Sequence, residues 1–181
     1  RVLFRSPHRG EITVAEFCEN YNYLAAYYDP EMASLLNPNG SWKEPEGTVV
    51  ISLDGVGLSQ PELYFTEDGS GRMTGVTISF REEGDTFFMV PTTIRILATL
   101  AFVQAQPGVG LLDRDAVNAV IERIQAEPAE SFQETVNGVE IRCESSFVGY
   151  SGDSGSYIIP LEGMDTYRFA MDYTMTLADA G

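Results

Sequence analysis

The stretch ELYFTEDGSGRMTGVTISF (residues 62–80) decides the reading of the fold. Its ends, ELYFTE (62–67) and MTGVTISF (73–80), are rich in β-branched and aromatic residues, and DGSGR (68–72) between them is a tight turn. In the second run Val76, Ile78 and Phe80 alternate with Thr77 and Ser79. That is the period-two pattern of a sheet with one buried and one wet face. The stretch predicts two antiparallel strands.

Reading outward from this hairpin, a strand is expected at TVVISL (48–53), after turn residues around NPNGS (37–41). Downstream, EEGD (82–85) turns the chain into a further expected strand, TFFMV (86–90), closed by Pro91. Upstream lies TVAEFCENYNYLAAYYDP (13–30). Its Thr13-x-x-Glu16 is a capping-box pattern, which satisfies free amides at a helix start. Val14, Phe17, Cys18, Tyr21, Leu24, Ala25 and Tyr28 recur at helical spacing and form one apolar stripe. Asp29-Pro30 is expected to end or bend the helix.

The second half repeats the theme loosely. IRILATLAFVQA (94–105) is apolar nearly all round, with Arg95 inside it, and belongs to a central buried helix over about Thr92–Gln104. The apolar run is too short for the ~20 residues of a membrane span. PGVG (107–110) breaks it, and Asp113 is expected to cap a helix with a stripe of Ala116, Val117, Val120, Ile121 and Ile124. FQETV (132–136), Asn137-Gly138 and VEIRCESSF (139–147) read as a hairpin with a type I′ turn. SYIIPLE (156–162) and TYRFAMDYTM (166–175) are expected strands. The order of strands and helices argues for an α+β fold over a parallel α/β sheet. Three main helices should pack on one face of antiparallel sheet. A loose helix-plus-sheet duplication, with halves 11–91 and 92–177, is an inference from order alone.

The chain has 181 residues, 44% hydrophobic and 21% charged, which suits a single globular domain over residues 7–181. Residues 1–6, RVLFRS, back-translate to the end of a sequencing-library adapter and are read as non-native; the natural N-terminus is then expected to be missing. The net charge of −16 decides more. A nucleic-acid partner needs a basic footprint to displace counterions from phosphates, and an anionic membrane surface makes the same demand. Neither is an expected partner.

Several motifs resemble functional sites. GDSGS (152–156) is one residue short of the G-D-S-G-G around the nucleophile of trypsin-like serine proteases. Such chemistry needs a base beside the hydroxyl and a carboxylate to orient it. The only histidine, His8, precedes every predicted element and sits in SPHRG, and Ser156 replaces the last glycine of the motif. Gly149, Gly152, Gly155 and Asp153 suffice for a turn, so Ser154 is read as inert. Lys43, the only lysine, falls in a predicted loop and offers no better base. GSGRMTG (69–75) has wrong spacing for a dinucleotide loop and runs from strand to strand, whereas a phosphate cradle opens a helix. No cofactor is expected. Zinc lacks ligands, and neither EDGSGR (67–72) nor GDSG (152–155) has the Asp alternation of an EF-hand, so no metal site is assigned.

Two features remain. Cys18 and Cys143 both point toward the core, as two buried thiols or as a disulfide. Tyr23 and Tyr27 lie four apart on the first helix, near Glu16 and Asn20 and opposite the apolar stripe. They should stack, and form a platform for a peptide, a sugar or another protein unless a terminal segment packs over them. The expected function is therefore a non-enzymatic binding or structural domain of a bacterial secreted protein or lipoprotein, located outside the cytoplasm. The alternatives are a small hydrolase with its active-site residues on loops, or a cytoplasmic protein of unknown role.

Overall fold

The computed structural model of the chain describes residues 8–28, 36–37, 39, 41–43, 47–53, 61–83, 89–106, 111–150 and 166–178. The expectations for residues 1–7, Asp29-Pro30, PGVG (107–110), GDSGS (152–156) and SYIIPLE (156–162) lie outside these residues.

The elements are α1 (Val14–Tyr28), β1 (Trp42–Lys43), β2 (Val49–Ser52), β3 (Glu62–Glu67), β4 (Met73–Glu83), α2 (Met89–Val103), α3 (Leu111–Ala126), β5 (Phe132–Val136), β6 (Val139–Tyr150) and β7 (Thr166–Leu177). The strands form one sheet in the order β1-β2-β3-β4-β7-β6-β5: six full strands with the two-residue β1 at one edge. Every pairing is antiparallel. The fold is α+β, as the pattern of elements predicts.

The sheet is two meanders joined at a seam. β1–β4 come from the first half of the chain and β5–β7 from the second, and they meet where β4 pairs with β7 from Gly75↔Thr176 to Glu83↔Arg168. The backbones are close at Gly75, where an added Cβ would lie 2.9 Å from the Met175 carbonyl oxygen. Glycine is required there by space. The type I′ turn between β5 and β6 is present, with φ of 54° at Asn137 and 72° at Gly138.

All three helices cover one face. Leu63, Ile78, Tyr173, Cys143 and Phe132 stand side by side across five strands on that face, all buried. From α1, Phe17 packs edge-on against Phe65 of β3 (5.4 Å) and Phe102 of α2 (6.4 Å). A fully buried phenylalanine with such neighbours stabilises the fold by roughly 3–5 kcal/mol relative to alanine. α2 is central, and its Ile94, Leu97, Ala98, Ala101, Phe102 and Val103 are all buried. α3 covers the β5 edge with Val117, Val120 and Ile124.

Four expectations change in detail. Met89 and Val90, predicted as the end of a strand, are the first residues of α2. Pro91 therefore sits in a first helical turn, where a missing N–H leaves no hydrogen bond unmade; Thr86–Phe88 lie outside the described residues. α3 begins at Leu111, so Asp113 falls inside the helix and does not cap it. Ala116, expected on its buried stripe, is exposed, and Ile121 is partly buried. Tyr28 shares the apolar side of α1 yet is 52% exposed, because the last turn runs past the core.

Candidate functional site

The outer stripe of α1 starts at its capping box. The Thr13 amide donates to Glu16 Oε2 (2.8 Å), and the Glu16 amide donates to Thr13 Oγ1 (3.3 Å). The Thr13 amide, with its hydroxyl and nearby His8, holds the Glu16 carboxyl below its usual range.

His8 does not precede the folded structure; it is fastened to α1. Its amide donates to Asn20 Oδ1 (2.9 Å), and Asn20 Nδ2 donates back to the His8 carbonyl (3.1 Å) and to the Ala101 carbonyl of α2 (3.3 Å). Asn20 is fully buried by these contacts. The imidazole contacts Glu19 through Nε2 and lies 3.5 Å from Glu16 through Nδ1. The segment then joins the end of α2 to the start of β4: the Gly10 amide donates to the Ala105 carbonyl (2.6 Å), and the Met73 amide donates to that of Ile12 (2.8 Å). A lone histidine ahead of any periodic pattern carries no sequence signal for this. The only hint was the polar Asn20 beside an apolar stripe.

Among the described residues, His8 thus contacts the first half of the stripe, at Glu16 and Glu19. Tyr23, Tyr27 and Tyr28 are 49%, 54% and 52% exposed, and they are the large hydrophobic side chains exposed among the described residues. Glu16, Glu19, Tyr23 and Tyr27 follow one another at three- and four-residue steps, which places them along one line of the helix. The described ring contacts join Tyr27 to Tyr28 edge-on at 5.6 Å, and none joins Tyr23 to Tyr27 as a stack.

The remaining candidates have internal duties. Cys18 and Cys143 are both buried and both free thiols. Burial pushes the Cys18 thiol up to about 12. Cys143 is also raised by burial, against the opposing pull of Arg95, whose Nη1 lies 3.6 Å from its sulfur. Asp68 of EDGSGR accepts from the Ser70 amide (2.8 Å), the Ser70 hydroxyl (2.6 Å) and the Arg72 amide (3.1 Å). These bonds hold its carboxyl below the usual range and make it the keystone of the β3–β4 turn. On the wet face of the sheet Asp172 accepts from Ser79 (2.5 Å) and from Arg81 at 2.9 and 3.0 Å. Among the described residues no group of three His, Cys, Asp or Glu side chains is placed to hold a metal ion. No helix among them is long and apolar enough to cross a membrane. Ser154 and the side chain of Lys43 lie outside the described residues.

Neither protein-family models, nor curated proteins, nor solved structures gave a match to this chain.

Proposed function

We propose that this domain is a non-enzymatic binding module of a bacterial secreted or lipid-anchored protein, and that it meets its partner through Tyr23 and Tyr27. The observation that carries the reading is the half-exposure of these rings on a helix whose neighbouring polar groups are already engaged. A tyrosine offers a wide apolar surface and a polar tip at low entropic cost, which is why it recurs at contact surfaces. The clustered carboxylates support the same reading. Glu130 and Glu134 hold Arg123, Asp172 holds Arg81, and Asp68 builds a turn, so each has a structural task.

The test is a comparison of wild type with a Tyr23→Ser/Tyr27→Ser variant on peptide and glycan arrays, with circular dichroism to verify the fold. The expected result is a ligand class retained by wild type and lost by the folded variant. Identical array profiles overturn the proposal. So does turnover of chromogenic ester or glycoside substrates by wild type.

A further inference from the structure

The chain shows within itself how its parts hold a cation. Arg123 lays its guanidinium 4.8 Å over the ring of Phe132, while Glu130 takes two of its N–H groups (2.7 and 2.8 Å) and Glu134 a third (2.5 Å). Aromatic face and carboxylate act together. The ring quadrupole attracts the flat cation, and the carboxylates accept its hydrogen bonds.

The outer stripe of α1 presents the same components to the outside. Tyr23 follows Glu19 by one helical turn and Tyr27 follows Tyr23 by another. Glu19 uses Oε2 toward His8, yet its side chain remains 63% exposed. The chain as a whole carries a net charge of −16, of the same sign as Glu19. A charge field of this size draws in a basic partner and repels an acidic one.

Building on the binding surface proposed above, we infer that its occupant is a basic segment of a partner protein, with arginine side chains seated on Tyr23 and Tyr27 beside Glu19. Arginine fits better than lysine, because its planar guanidinium can stack on a ring and share hydrogen bonds with a carboxylate at the same time.

The test uses fluorescently labelled short peptides in which glycine alternates with arginine, lysine, glutamate or serine, titrated by anisotropy at about 0.15 M salt, where the Debye length is about 8 Å. The arginine peptide is expected to bind wild type about tenfold more tightly than Tyr23→Ala/Tyr27→Ala, as two exposed cation–π contacts predict. Tyr23→Phe/Tyr27→Phe keeps the rings and should restore most of the affinity. Glu19→Gln should lower affinity, whereas Glu140→Gln, the same loss of charge on the far strand β6, should barely change it. Equal binding of the arginine peptide by wild type and the alanine variant overturns the inference, since net charge alone then explains the attraction. Absence of binding to wild type overturns it too. If instead the glutamate or serine peptide depends on the two tyrosines, the cationic partner is wrong and the binding surface stands. If no ligand on peptide or glycan arrays depends on them, both fail.

Discussion

Arg95 and Arg123 stand on successive helices, and each lies over an aromatic ring, but they are held in opposite ways. Arg123 is at the surface, 35% exposed, and its partners are two carboxylates. Those bonds raise its already high pKa. Arg95 is fully buried on α2, 5.9 Å over the ring of Tyr173, and its described hydrogen bonds go to neutral groups. Its Nε donates to the Pro91 carbonyl (3.1 Å), Nη2 to the Pro128 carbonyl (2.9 Å) and Nη1 to Cys143 Sγ (3.6 Å). Burial lowers its pKa. A cation at the surface can be neutralised cheaply. One in the core has to be solvated, and here backbone carbonyls, a thiol and a ring replace water. Arg95 thereby ties α2 to the corner after α3 and to β6, which makes it a structural pillar.

The largest effect follows from removing that pillar. Arg95→Ala leaves a cavity and removes the donor to the Pro128 carbonyl, at a cost on the order of 3–5 kcal/mol, and thermal denaturation should show Tm falling by roughly 10 °C. Arg95→Met, which keeps most of the volume, should cost less. A loss under about 1 kcal/mol in Arg95→Ala would show that Arg95 is no more structural than Arg123. Tyr173→Phe probes the same site more gently. Thr99 Oγ1 donates to the Arg95 carbonyl (2.7 Å), so the Tyr173 hydroxyl must be the donor in its 2.7 Å bond to Thr99. Deleting it should cost about 1 kcal/mol in urea-unfolding free energy. Arg123→Gln should cost less than either, and its effect should shrink further in high salt, because exposed pairs are screened.

Least in size near neutrality is the response to pH, which should separate the two sites by direction. Glu130 is lowered from 4.5 by Arg123, so its contribution is present above that value and is lost as pH falls through and below it. Cys143 is raised from 9.0 by burial, so its contribution is present below that value and is lost as pH rises beyond it. Cys18, raised to about 12, adds to the alkaline loss between about 9 and about 12. Melting curves across pH should therefore be less acid-sensitive in Glu130→Gln and less alkali-sensitive in Cys143→Ala, each relative to wild type. The reverse pattern would refute the assignment.

Much of the fold was legible because it is local. Alternation of Val76, Ile78 and Phe80 placed β4, and β3 and β5 fall on the expected residues, 62–67 and 132–136. Thr13 and Glu16 marked the start of α1, and all-round apolarity placed α2 at the centre. Met89 and Val90 misled because a β-rich run ending at proline looks like a finished strand, while proline is equally at home in a first helical turn. Four-residue spacing made Tyr23 and Tyr27 legible as a surface. The docking of His8 on Asn20 was not, since it depends on a contact between a polar pair without periodicity. For the same reason Arg95 could be placed in a buried helix but not assigned its three acceptors.

The β4–β7 seam has a consequence for how the chain acquires its structure. Thr77 and Thr174, joined by a 3.0 Å side-chain bond, are 97 residues apart. Each meander pairs strands that follow one another in the sequence, but its inner strand stays an unpaired edge until the other arrives. A ribosome must therefore extend the chain through β7 before β4 can pair with it. The closing of so long a loop should set the folding rate, and the waiting edge is where a nascent copy is most exposed to pairing with the wrong strand.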